Sequence, residues 1–254
     1  YSLFAKKKSE KDIKRRDTIN LFKGRSKFND PSLSSDIEKI IETQEDFTLV
    51  YREMSENISG LCINGKNKII VVNTKLSKGR QRFTIAHELC HLLYHDNGCY
   101  VCDKNLIDEK VSRYEKEADL FASFFLAPAD SFLESYYEFY GRYNNKLDVA
   151  VSLQQKFGMS HLAVLTRLKQ EKLISSKEYE KYSYEKPLVN ALQLGYSKDL
   201  YLPTNENKTV GKYIRLTMKL KNNNKISNGK YEELLLKGYR EDLVFVGENV
   251  EHID

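Results

Sequence analysis

The sequence predicts an α+β protein: a small antiparallel sheet that feeds one buried helix, followed by a mainly helical C-terminal region. Three observations predict it. Residues 47–54, 58–63 and 68–73 are short runs rich in Val, Ile, Thr and Tyr, punctuated by Asn57, Gly60, Asn64, Gly65 and Asn67. Residues 82–95 hold no Gly or Pro, and Phe83, Ala86, Leu89, Leu92 and Leu93 recur near helical spacing. Beyond residue 108, apolar residues at helical spacing dominate the readable segments.

In chain order, residues 1–28 carry ten Lys or Arg against three acids. The segment to residue 30 reads as a basic arm, solvated rather than bound to nucleic acid, because no aromatic interleaving accompanies the charge. Residues 31–46 predict a helix: Pro31, Ser32, Ser34 and Ser35 offer start signals, and Ile37, Ile40 and Ile41 one apolar face. The three β runs follow. Asn64 and Gly65 mark a hairpin, and the apolar run 69–72 marks a central strand.

The helix at 82–95 contains H-E-x-x-H, as His87, Glu88 and His91. Histidines at i and i+4 lie on one helix face, where both imidazoles can hold one tetrahedral zinc ion. Glu88, one residue after the first ligand, can serve as general base toward an attacking water. The same motif also arises by chance on exposed helices. Here it sits in an apolar helix, where unpaired imidazoles and a bare carboxylate would be costly to bury and a metal removes that cost.

A catalytic zinc needs a third protein ligand and an open fourth position. Residues 108–128 predict a helix broken at Pro128, with Glu115 and Glu117 both at the edge of its apolar side. Periodicity does not choose between them.

R-Q-R-F-T-I-A-H-E-L-C-H-L-L at 80–93, followed by E-K-E-A-D-L-F-A-S-F-F-L-A-P at 115–128, resembles the ImmA/IrrE zinc metallo-endopeptidases. The resemblance covers roughly residues 45–175 and rests on two motifs in the right order. It implies a zincin-like (minimal gluzincin-type) peptidase domain with one Zn2+ per chain. It places the third ligand on Glu117, the residue before Ala118 and Asp119, and makes Asp119 an outer partner of a ligand histidine. It implies cleavage of a helix-turn-helix repressor that switches on mobile-element or stress genes. Cys90 departs from the glycine common in the family, but cysteine is small enough for a buried helix position.

Residues 129–143 predict a further helix with an aromatic stripe that reads as core. Residues 151–175 have a helix-turn-helix-like shape, with a turn at Gly158, Met159 and Ser160. Packing against the peptidase domain is favoured over DNA contact, although Thr166, Lys169 and Gln170 would lie on its exposed side. His161 reads as a helix-cap residue. Farther on, 213–220 and 231–236 look helical, while 200–202 and 243–246 look like short strands. The organisation expected is thus a basic arm at 1–30, a peptidase domain at 31–145, a helix-turn-helix-like segment at 146–176 and a mixed, mainly helical region at 177–254.

Cys62, Cys90, Cys99 and Cys102 are too few and too uneven for a disulfide framework, and the lone C-x-x-C of Cys99 and Cys102 is a weak metal signal. With no signal peptide or membrane-length apolar run, the expectation is a reduced, cytoplasmic protein. Two rivals to the enzyme remain at this level. One is a DNA-binding regulator with a structural zinc. The other is an interaction protein of toxin or antitoxin type with a degenerate site.

Overall fold

The computed structural model describes residues 36–95, 99–103 and 109–245, with the side chains of 99–103 and 109–112 excepted. The basic arm lies outside the described residues, as does any role for the Cys99 and Cys102 side chains.

The chain enters at α1 (Ile37–Thr43), where Asp36 caps the helix by accepting from Lys39 N at 3.3 Å. Ile37, Ile40 and Ile41 are buried, as their spacing predicts. Next come β1 (Phe47–Arg52), β2 (Ile58–Asn64) and β3 (Lys68–Asn73), with β4 (Cys99–Asp103) and β5 (Lys208–Gly211) added much later in sequence. The sheet order is β4-β2-β3-β1-β5. The apolar β3 is central, as expected.

One expectation needs correcting: the sheet is mixed, because β1 and β3 pair in parallel, Val50 opposite Val71. The link after β1 reverses direction but skips one strand position. The β2–β3 hairpin then folds β3 back into the gap, so β3 is antiparallel to β2 and parallel to β1. Asn73, fully buried at the end of β3, pins this crossing. Its Nδ2 donates to Ile58 O at 2.8 Å and Ser55 O at 3.0 Å, and its Oδ1 accepts from Met54 N and Lys75 N, both at 3.1 Å. The link thus meets the demand for partners among buried backbone groups.

α2 (Lys78–Tyr94) lies against β2 and β3 and is buried along most of its length. Gly60 makes the close approach possible. A Cβ there would lie 2.5 Å from Thr84 Cγ2 and 3.3 Å from Glu88 Oε1. Cys90 is 4% exposed and packs in the core, so it fits the helix.

α3 (Glu109–Leu126) packs on α2 and buries Ala118, Phe121, Ala122 and Phe125. α4 (Ala129–Tyr143), α5 (Lys146–Phe157) and α6 (His161–Gln170) follow. The α5–α6 pair has the helix-turn-helix-like shape, with Gly158 in the left-handed region at φ 61°. A Cβ on Gly158 would meet Arg82 Nε at 2.6 Å, because the Arg82 side chain from α2 packs on this turn and pairs with Glu38 of α1. His161 opens α6 but is not its cap, which is Ser160. The ring is buried instead, 2.9 Å from Gln154 and 2.8 Å from Tyr182 O, and joins α5 to the next helix.

That helix is α7 (Ser176–Ser183), followed by α8 (Pro187–Gln193), a 3-10 turn (Asp199–Tyr201), β5, α9 (Lys212–Asn222), α10 (Asn228–Lys237) and α11 (Glu241–Phe245). The expected helices at 213–220 and 231–236 are present. Among the described residues the two expected short strands are not, and Val246 lies outside them. Leu200 and Tyr201 complete the 3-10 turn and Leu202 caps it, with an isolated bridge between Ser77 and Pro203 just beyond. Residues 243–245 end α11, whose first turn carries Glu241 and Asp242, favourable at a helix N-terminus. No helix among the described residues is long and apolar enough to cross a membrane.

α7 begins with a capping box: Glu178 accepts from Ser175 N at 2.6 Å and Ser175 Oγ from Glu178 N at 3.2 Å. The Ser175 N–H and then Lys146 hold the Glu178 carboxyl down at about 2, against 4.5 for a free glutamate. A depressed folded pKa means the contribution is whole above 4.5 and is lost as pH falls toward 2. The stability gap between wild type and Glu178→Gln should therefore narrow as denaturant melts are repeated from about pH 6 down to about pH 3. The gap itself should not exceed about 1 kcal/mol, because the pair is solvent-screened. A gap independent of pH would contradict this.

Candidate metal centre

The two histidines of H-E-x-x-H meet on the α2 face that looks at α3. His87 Nε2 and His91 Nε2 are 3.1 Å apart. Glu115 of α3 reaches between them, with Oε2 3.1 Å from His87 Nε2 and Oε1 3.3 Å from His91 Nε2. Donor atoms on a tetrahedral ion with bonds near 2.0–2.1 Å are separated by about 3.3 Å. The three residues present therefore fit a small tetrahedral cation, and they are the group among the described residues able to converge on one.

The third carboxylate corrects the expectation drawn from the resemblance. Glu117 is not beside the two ring nitrogens. Its Oε2 lies 3.7 Å from His95 Nε2, and its Oε1 3.5 Å from Arg113 Nε. At 3.6 residues per turn, Glu115 and Glu117 point about 200° apart around α3, so one helix cannot aim both at the same point. Glu115 shares a row with Asp119, at i and i+4. Asp119 Oδ1 lies 2.9 Å from His87 Nδ1. That i, i+4 spacing of Glu115 and Asp119 was the signal available in the sequence.

Charge in the site is matched to a cation. Burial disfavours a charged His87, but hydrogen bonds to Asp119 and Glu115 and the nearby Glu88 charge outweigh it and raise the ring to about 10. Burial likewise opposes ionisation of Glu115, yet its hydrogen bonds to His87 and His91 hold it far below the usual carboxylate range. Glu88 is fully buried between α2 and Gly60 of β2, at the level of His87. His95 was not singled out in the sequence. Its Nδ1 lies 2.7 Å from His91 Nδ1, and burial and the neighbouring His91 keep it toward its neutral form.

The centre opens on a cleft of about 680 Å³. α2 contributes Arg80, Phe83, Thr84 and His87, and α3 contributes Glu115, Lys116, Asp119, Leu120 and Ser123. The opposite wall is α6, through Leu162, Ala163, Thr166 and Gln170. Thr166 and Gln170, two of the residues that a DNA-reading helix would expose, thus face the cleft.

Residues 46–169 match the family described as the IrrE N-terminal-like domain, of peptidase type M78. This stretch belongs to that family. Comparison with curated proteins finds no match. The IrrE N-terminal-like domain is of metallopeptidase type, and its matched span runs from just before β1 to the last turn of α6. It therefore takes in the central strands, both helices of the metal centre and the α6 wall of the cleft. β5 and α9–α11 lie beyond it, although β5 completes the same sheet by pairing with β1.

Proposed function

We propose that the chain is a zinc-dependent, site-specific endopeptidase that cuts a helix-turn-helix transcriptional repressor and so switches on mobile-element or stress genes. The observation that carries the peptidase reading is the convergence of His87 Nε2, His91 Nε2 and Glu115 at the wall of a cleft, with Glu88 beside them. His87, His91 and Glu115 would hold the metal. Bound zinc supplies a Lewis acid that acidifies water and polarises a carbonyl. Glu88 takes the proton from the attacking water and delivers it to the leaving amine. Asp119 fixes the His87 ring through Nδ1.

The chemistry calls for an extended stretch of substrate rather than a helix, whose carbonyls stay hydrogen-bonded and out of reach of a nucleophile. An exposed linker between two folded parts of a repressor meets that need. The repressor as substrate follows from the resemblance to the ImmA/IrrE peptidases. Placement of Thr166 and Gln170 inside the cleft counts against reading α6 as a free DNA-recognition helix.

The test is incubation of the purified, zinc-loaded chain with any helix-turn-helix repressor found encoded beside its gene, followed by mass spectrometry of the fragments. The expected result is one or a few cuts in a linker, abolished by a chelator and restored by zinc. A repressor left intact by the zinc-loaded chain would refute the substrate. Intact linker peptides and unstructured proteins as well would refute the peptidase.

A further inference from the structure

α2 carries a third histidine in line with the two at the metal centre. His87, His91 and His95 follow one another at i, i+4 spacing and share one helix face. His95 is the residue that ends α2, with its backbone N–H donating to His91 O at 3.2 Å. Its side chain is 3% exposed. The Tyr114 ring of α3 lies across it, centroids 4.3 Å apart, and limits how it can turn.

The 2.7 Å between His91 Nδ1 and His95 Nδ1 leaves room for one proton and requires one. Two arrangements satisfy that. In the first, His91 carries the proton on Nδ1 and donates it to His95. Its Nε2 then presents a lone pair toward His87 and Glu115. In the second, His95 donates and the His91 proton sits on Nε2, where it blocks a metal. Glu117 biases the choice. Its carboxylate is 3.7 Å from His95 Nε2, beyond a direct hydrogen bond, but its negative charge favours a proton on that nitrogen and so a bare Nδ1 on His95.

We infer that His95, backed by Glu117, is a positioning residue that keeps the His91 proton on Nδ1 and leaves Nε2 free to bind the metal. This rests on the zinc reading above. It gives His91 the service that Asp119 performs for His87, but from a ring rather than a carboxylate. It also gives a role to Glu117, which is outside the group of converging ligand atoms. Outer partners of metal-bound histidines are typically worth about 10–100-fold in metal affinity.

The test separates hydrogen bonding from packing with two replacements of nearly equal size and shape. In His95→Asn the side-chain oxygen can sit where Nδ1 was and still accept from His91. In His95→Leu nothing can. The full chain is stripped of metal, checked for folding by circular dichroism, and titrated with zinc against a chromophoric chelator. His95→Asn should stay close to wild type, while His95→Leu weakens zinc binding by about 10–100-fold. Glu117→Gln should cause a smaller loss, and none when added to His95→Leu, because the two act through one contact. Equal affinities for the Asn and Leu variants, with zinc bound normally by wild type, would overturn this inference alone. A wild-type chain that takes up no zinc would overturn the zinc reading together with it.

Discussion

Glu88→Gln should leave the chain folded and zinc-loaded while cleavage falls by about 10²–10⁴-fold, the usual contribution of a general base. The amide has the shape of the carboxylate, so the close approach to Gly60 is kept. What is lost is the ability to take a proton. Glu88 is outside the set of converging ligand atoms, so metal content should not change. The measurement is turnover of the proposed repressor substrate beside zinc content per chain. The variant should also hold its substrate long enough to be captured with it. If Glu88→Gln cleaves as fast as wild type with zinc in both, the general-base assignment fails.

The second large effect is on metal binding. Glu115→Ala should lose zinc affinity by more than the roughly 10–100-fold typical of an outer partner, since it removes one of three ligands. Glu117→Ala should lose less than Glu115→Ala. This ordering reverses the one implied by the resemblance to the ImmA/IrrE peptidases. It is motivated by 3.1 and 3.3 Å from Glu115 to the two ring nitrogens, against 3.7 Å from Glu117 to His95. Neither change should unfold the chain, because both side chains are about one-third exposed. Zinc affinity measured by chelator competition decides it. Retention of affinity in Glu115→Ala with loss in Glu117→Ala would return the third ligand to Glu117.

Some features were legible in the sequence because they are local. The spacing of His87 and His91 brings two imidazoles together on any α-helix, whatever surrounds it. Asn64 and Gly65 between two short β-favouring runs, 58–63 and 68–73, specify a hairpin from a few neighbouring residues. The left-handed turn after α5 follows from Gly158. Asp36 could have been read as the cap of α1, but its acceptance from Lys39 N competes with several polar residues just upstream.

Tertiary structure decided everything that depends on how one element is turned or placed against another. The rotation of α3 on α2 selects Glu115 over Glu117. Both flank the stripe of Ala118, Phe121, Ala122 and Phe125, and only the packing of that stripe sets which carboxylate reaches His87. The parallel pairing of β1 with β3 comes from a skipped strand position, which leaves no trace in alternation. β4 and β5 are only five and four residues long, too short for alternation to mark them, and become strands because edge positions on β2 and β1 offer them backbone partners. The role of His95 arises in the same way. Its spacing places it on the face of the metal histidines, but only contact with Tyr114 and Glu117 on α3 makes it a partner of His91. Periodicity reports the environment of a residue within its own element, whereas the metal centre is a meeting of two elements whose relative rotation is set by the whole core.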